Sequence, residues 1–250
     1  MVELISENRL RYLSGLKGFN LIYLEKDYFL SLLLYLLKDV KDICFKGGTA
    51  LNKIFLNHTR LSEDLDFTCR KTTESAKNEI VAILEKNKGI FQKYAFENQT
   101  NNYFRLKVFY NSYFTENSYI VIDLNGKASL HCPPQMQKVR HFYEEIPEFE
   151  ILTLDPNELI AEKIRALIAR NQPRDYFDVY FLLKTGHKID FDLVGKKLNE
   201  VNQKFDVERI FKNANKIYSH WDDDVAQLTN KPVEYLTVIK RLQKEFKYKV

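Results

Sequence analysis

The sequence predicts an α+β protein: a mixed β-sheet lobe with flanking helices, followed by an α-helical C-terminal lobe. Three observations carry this. Strand and helix patterns intermingle up to about residue 154, only helical periodicity follows Asp155-Pro156, and 250 residues at 45% hydrophobic content can bury a sizeable core. The expected division is 1–154 for the α/β lobe and 155–250 for the helical lobe.

The first clear element is LEKDYFLSLLLYLLKDV (24–40), a helix with a nearly continuous apolar face. Its apolar run is too short to span a bilayer and is flanked by Asp27 and Lys38, so a buried core helix is expected and no membrane partner. ICFKGG (43–48) reads as a short buried strand stopped by Gly47 and Gly48. TALNKIFL (49–56) then reads as a helix that Thr49 is placed to cap. LDFTC (65–69) reads as a second strand and Thr73 to Lys86 as a polar helix. Three further strands are expected at 91–98, 103–110 and 119–125, separated by the turn-rich stretches NQTNN and NSYFTENS. In the middle one Phe104, Leu106, Val108 and Tyr110 share a face, with Arg105, Lys107 and Phe109 opposite. After Pro133-Pro134, PNELIAEKIRALIAR and PRDYFDVYFLLKTG read as helices, the first opened by Asp155 before Pro156, and three or four more follow.

Composition narrows the setting. A net charge of +4 permits a nucleotide or nucleic-acid partner without requiring one. Cys44, Cys69 and Cys132 show no CxxC spacing, and the N-terminal MVELISENRLR lacks a signal peptide's apolar stretch, so a reduced, cytoplasmic protein is expected. His131, Cys132 and His141 lack the second ligand pair of a zinc site.

The chemistry concentrates in FKGGTALNKIFLNHTRLSEDLDFTCR (45–70). In a strand, residues i and i+2 point to one face about 6–7 Å apart. Asp64 and Asp66 would therefore project together while Leu65 and Phe67 pack behind them. Two bare carboxylates repel, and Mg²⁺ or Mn²⁺, which prefer hard oxygen ligands, would relieve them. A solvated DxD in a turn is the alternative. Gly47, Gly48 and Thr49, between strand and helix, offer backbone N–H groups to a phosphate, although a plain left-handed turn would use the same glycines. Asp123 interrupts the apolar YIVIDL, which is costly unless it is paired, metal-bound or at a solvated strand end. It is a candidate third metal ligand and a candidate acceptor of a proton from an attacking hydroxyl.

Taken together, EKDYF (25–29), FKGGTAL (45–51), RLSEDLDF (60–67), EKIRAL (162–167) and PRDYFDVY (173–180) resemble the AbiEii/AbiGii nucleotidyltransferase toxin family. That family lies within the DNA polymerase β-like nucleotidyltransferase superfamily, with MenT-like toxins as relatives. The resemblance implies a nucleotidyltransferase fold and transfer of NMP from an NTP, with Mg (or Mn) as cofactor. It also implies a probable RNA acceptor such as a tRNA 3′ end, and a cognate antitoxin. It assigns Asp64, Asp66 and Asp123 to metal and catalysis. Lys46, Gly47, Gly48, Thr49, Arg60 and Ser62 fall to nucleotide contact, and Lys163 to the triphosphate or transition state. Asp175 and Asp178 would orient the lysine or the nucleotide. From the residues alone, Lys163 and Arg170 also suit a solvated basic helix face, and the two aspartates a favourable helix N-terminus or pairing with Arg174 and Arg170. A small-molecule nucleotidyltransferase and a non-catalytic nucleotide-binding module remain the rival functions.

Overall fold

The computed structural model describes residues 3–70, 72–126, 129–212 and 214–248. α1 (Glu7–Lys17) begins at Ser6, whose hydroxyl accepts from the Arg9 N–H, and ends at Gly18 in the left-handed region, φ 71°. The sequence reading held no helix here, because ENRLRYLSGLK buries only Leu10 and Leu13 and so shows little apolar periodicity. α2 (Leu21–Leu37) starts earlier than expected because Asn20 Oδ1 accepts from the Ile22 N–H at 3.0 Å, and it stops before Lys38.

β1 (Ile43–Lys46) turns sharply into the short α3 (Gly47–Ala50), which widens into a π turn over Leu51–Phe55, where the Leu56 N–H reaches the Leu51 carbonyl. The helix thus begins at Gly47 rather than Thr49, and Thr49 is not its cap: its hydroxyl donates to the Asp64 carbonyl at 2.5 Å. β2 (Asp64–Cys69), α4 (Thr73–Lys86), β3 (Lys93–Thr100), β4 (Tyr103–Phe109) and β5 (Tyr119–Asn125) follow close to their expected places. β6 (Gln135–Lys138) and β7 (Glu150–Thr153) were not foreseen; both are four residues long, and Met136 is the one apolar residue of β6. The helical half comprises α5 (Pro156–Ala169), α6 (Pro173–Lys184), α7 (Phe191–Asn199), α8 (Val207–Phe211), α9 (Ala214–Ser219), α10 (Trp221–Val225) and α11 (Tyr235–Glu245).

The strands form one mixed sheet in the order β3-β4-β5-β2-β1-β7-β6. β2 is central, antiparallel to β1 and parallel to β5. One sheet face presents Phe45, Leu65, Phe67, Leu106, Ile122 and Leu124, all fully buried, and α2 packs beneath it. Each such side chain contributes about 1.5–3 kcal/mol by leaving water. On the opposite face the register sets Lys46 beside Asp66, Asp66 beside Asp123 and Asp123 beside Arg105. The core thus fixes β2, and β2 fixes the acids.

The expected boundary at 154/155 falls between β7 and α5, and several contacts cross it. Arg60 pairs with Asp178 at 2.8 Å, Lys46 with Glu162 at 3.3 Å, and the Leu61 N–H donates to the Leu228 carbonyl at 2.7 Å. Among the described residues no helix is long and apolar enough to cross a membrane.

Candidate active site

A cavity of about 290 Å³ opens above β2. Its lining includes Gly48, Thr49, Arg60, Ser62, Asp64, Asp66, Asp123 and Lys163, which the sequence had singled out separately. Asp64 and Asp66 share a face because they are i and i+2 on β2, and Asp123 joins them from the parallel neighbour β5. Burial raises Asp64, with Lys26 pulling it down and Glu63 pushing it up. Burial raises Asp66 to about 6; Lys46 opposes this, while Asp64 and Asp123 add to it. The sheet side of the cavity holds more negative charge than its surroundings neutralise.

The two glycines have reasons beyond an open approach for phosphate. Gly47 has φ 78°, and a Cβ there would lie 2.1 Å from Asp66 Oδ2. A Cβ on Gly48 would lie 2.7 Å from Arg60 Nη2. The space beside the turn is filled by the Asp66 carboxylate and the Arg60 guanidinium. Thr49, only 2% exposed, ties α3 to the first residue of β2 through its bond to Asp64.

The helical side is built from paired charges. Lys163 Nζ lies 2.8 Å from Asp175 Oδ1 and 2.7 Å from Asp178 Oδ2. Arg60 donates from Nε and Nη2 to the two oxygens of Asp178, both at 2.8 Å, and Arg170 donates from Nε and Nη2 to Asp175 at 2.9 and 2.8 Å. Arg60 Nη1 also donates to Ser62 Oγ at 3.1 Å. Burial alone would raise both acids, but Lys163 and Arg170 hold Asp175 far below the carboxylate range, and Arg60 and Lys163 hold Asp178 below it. This excludes the solvated-face reading of Lys163, which is 6% exposed, and the simple helix-dipole reading of the two fully buried aspartates.

The remaining expected residues lie apart from the main cavity. Lys46 and Gly47 line a neighbouring cavity of about 170 Å³ with Leu51, Glu162 and Arg165, and Gly48, Asp66, Lys163 and Arg170 border both spaces. Asp175 and Asp178 line neither and stand behind the cations. Sequence reasoning missed Glu63, Arg105, Gln172 and Arg174 as lining residues. Glu63 sits inside the RLSEDLDF block and joins Lys26 at 3.2 Å to Arg174 at 3.1 Å. Arg105 stands on the polar face of β4: it reaches Asp123 Oδ2 at 3.3 Å, while the Tyr103 hydroxyl donates to Asp123 Oδ1 at 2.5 Å.

The acid side suits a divalent cation. Among the described residues no three His, Cys, Asp or Glu side chains converge tightly enough to cage an ion unaided. Magnesium does not require a cage, because it keeps several waters and takes one or two carboxylates plus substrate phosphate oxygens. A hard-oxygen pair whose inner member is raised for want of compensating charge fits that mode.

Acids on the sheet and paired cations opposite them give one cavity both signs of charge, an arrangement suited to phosphoryl-group transfer. The class so defined is the nucleotidyltransferases. The chain belongs to the AbiEii family of nucleotidyltransferase toxins, since the family model described as nucleotidyl transferase AbiEii toxin of a type IV toxin–antitoxin system matches residues 31–243. Among solved structures it is similar to MenT4, a nucleotidyltransferase toxin from Mycobacterium tuberculosis, with a TM-score of 0.72 and 19% identity over 97% of this chain and 89% of that one. It is also similar to JHP933 from Helicobacter pylori, with a TM-score of 0.54 and 20% identity over 92% and 97% of the two chains. Comparison with curated proteins gives no match.

Proposed function

We propose that this toxin transfers a nucleoside monophosphate from an NTP to a hydroxyl of an RNA acceptor, a tRNA 3′ end by preference, and releases pyrophosphate. The observation that carries the reading is the division of charge: the raised carboxylates of β2, with Asp123 of β5 beside them, face the paired cations Arg60, Lys163 and Arg170 across one cavity. Asp64 and Asp66 would hold Mg²⁺ or Mn²⁺, with Asp123 as a third oxygen donor. Bound there, the ion supplies charge neutralisation for the phosphates and lowers the pKa of the acceptor hydroxyl.

The chain's own residues do the rest. Asp123 accepts the proton of the attacking hydroxyl. Lys163, fixed by Asp175 and Asp178, presents its ammonium to the phosphate charge that grows as pyrophosphate leaves, and it needs no reorganisation to do so. Arg60 and Ser62 steady the loop before the acid pair, and Gly48 and Thr49 bring the first turn of α3 to the phosphates. Residues 1–154 form the lobe that carries the acids and Arg60, and 155–250 the lobe that supplies Lys163 and Arg170. The setting is cytoplasmic, and a cognate antitoxin accompanies the enzyme.

The test is incubation of purified protein with each α-labelled NTP, Mg²⁺ and total RNA. Label should enter RNA with one or two NTPs and not with Asp64→Ala protein. Label appearing only on small molecules would overturn the RNA acceptor, and no transfer with any NTP would overturn the cofactor and acceptor together.

A further inference from the structure

We propose that the open face of β3, β4 and β5 binds a single-stranded 3′-terminal segment of the RNA acceptor and leads its last hydroxyl to Asp123. This rests on the RNA reading above and adds the surface that would take the strand.

The register defines the face. Arg105 pairs with Asp123, Lys107 with Val121, Phe109 with Tyr119 and Lys93 with Phe109, so these side chains stand on the same side of the sheet as the catalytic acids. The opposite side of the same strands holds Phe104, Leu106, Val108, Ile120 and Ile122 in the core. On the open side Val121 is buried, but Phe109 and Tyr119 are only half-buried, so packing does not fully cover them.

Its composition alternates rings and cations. Phe109 and Tyr119 lie 5.6 Å apart, both half-buried. Lys93 Nζ stands 4.5 Å from the Phe109 ring centre, and Lys107 Nζ and Lys26 Nζ stand 4.4 and 5.8 Å from that of Tyr119. Lysine stems covering two rings would account for one such pair. Two further observations point to a ligand path. Glu97 is an extra residue in β3, a β-bulge between Phe96 and Asn98, and it reaches Arg105 at 3.2 Å and Lys107 at 2.7 Å, fixing both cations from the outer rim. The strip also joins two concavities. Arg105 and Asp123 line the main cavity, while Lys93 and Phe109 line a cleft of about 410 Å³ beyond it.

Asp123 and Tyr119 are four residues apart on β5, about 13 Å at 3.3 Å per residue. Sheets that read RNA stack two or three splayed bases on aromatics of one face and hold the backbone with basic side chains. Phe109 and Tyr119, on one sheet face and tilted 55° to each other, can stack only on bases that are unpaired and free to splay. The occupant is therefore single-stranded, and its polarity follows from the hydroxyl that must arrive at Asp123.

The measurement is fluorescence anisotropy of a 5′-labelled, mixed-sequence 12-nucleotide RNA, and of its duplex, with the full chain. Tyr119→Ala and Lys93→Glu should each weaken single-strand binding about tenfold, Tyr119→Phe should bind like the parent, and the duplex should bind less tightly than the single strand. Circular dichroism keeps misfolded variants out, and Tyr119→Phe against Lys93→Glu decides if Tyr119→Ala does not fold. Unchanged single-strand affinity in Lys93→Glu and Tyr119→Ala, or preference for the duplex, overturns the proposal. If the variants transfer label to RNA with the parent's acceptor KM, the enzyme reading survives and this surface falls. If binding depends on these residues but no RNA is labelled, the surface stands and the transfer reading falls.

Discussion

On the helical side of the cavity Arg60, Lys163 and Arg170 share Asp175 and Asp178, and both acids sit below the carboxylate range. On the sheet side burial raises Asp64 and Asp66, and Lys26 and Lys46 only partly offset it. The same residue type thus has opposite electrostatics across one cavity. The paired side is complete within the protein and is stable because every buried charge has its counter-charge. The acid side keeps negative charge that the protein does not neutralise, and under the proposed function an incoming cation would complete it, trading apo stability for affinity. A catalytic site that must bind metal and triphosphate together gains from keeping these two tasks apart.

The largest effect should come from breaking the paired side. Asp178→Ala would strip Arg60 of its bidentate partner and Lys163 of one of two, leaving buried cations uncompensated. We expect a loss of about 3–5 kcal/mol, measured as a fall in urea midpoint at constant m-value. A variant as stable as the parent would show that the network contributes nothing to the fold.

The acid side should respond with the opposite sign. Asp66→Asn removes a carboxylate that burial and its neighbours disfavour, so the metal-free protein should gain about 2 kcal/mol at pH 7. Asp66 is not sealed from solvent, which keeps the gain below the full value of its shift. Turnover should drop on the order of a hundredfold or more, because a charge facing the reacting phosphates is gone. A destabilised variant would move Asp66 to the structural side of the comparison.

The two sides also differ in how far the sequence reveals them. The acid side was readable because its evidence is local: Asp64 and Asp66 are i and i+2, Asp123 breaks an apolar strand, and the core residues of β2 and β5 alternate visibly. The paired side was not, because Arg60 and Asp178 are 118 residues apart and no local pattern joins them. Lys163 and Arg170 share a helix face, which alone suggests solvent; only the packing of α6 against α5 turns that face inward. The same applies to β6 and β7, four-residue strands defined by their partners rather than by composition. The glycines have a steric reason that the sequence does not show. Gly47 and Gly48 mark the turn, but contact with Asp66 and Arg60 comes from residues the turn does not contain.

A pH titration of stability in EDTA sharpens the contrast further. Asp66 is raised to about 6 in the fold against about 3.9 unfolded, so between those values the native state binds the more protons and stability falls as pH rises. His58 has the opposite sign: burial, with Lys53 nearby, pushes it down to about 3 against about 6.5 unfolded, so over that range stability rises with pH. Asp175 and Asp178, held low, add stability that is lost only as pH falls through about 4 and below. Between pH 4 and 6 the Asp66 and His58 effects oppose each other. Asp66→Asn should therefore steepen the rise of stability with pH there by up to one proton, about 1.4 kcal/mol per pH unit. An unchanged slope would mean that Asp66 titrates normally in the fold.

The smallest effect concerns the one cation that opposes the Asp66 shift most strongly. Lys46 follows the β1 core residues, faces Asp66 in the register and pairs with Glu162 at 3.3 Å. Glu162 retains Lys197 at 3.4 Å, so Lys46→Met does not orphan it. The loss of stability should stay within about 1 kcal/mol, as for other partly exposed pairs. What should move is Asp66 itself: without Lys46 its carboxyl titrates at higher pH, read from the ¹³C shift of labelled aspartate in EDTA. The direction follows because the strongest opposing charge has been removed, leaving Arg170 alone against burial, Asp64 and Asp123. An Asp66 midpoint that stays in place would mean that Lys46 serves Glu162 alone. Arg170 would then be the cation that holds Asp66 down in the parent protein, and the contrast with the paired side would be greater than the β1–β2 register suggests.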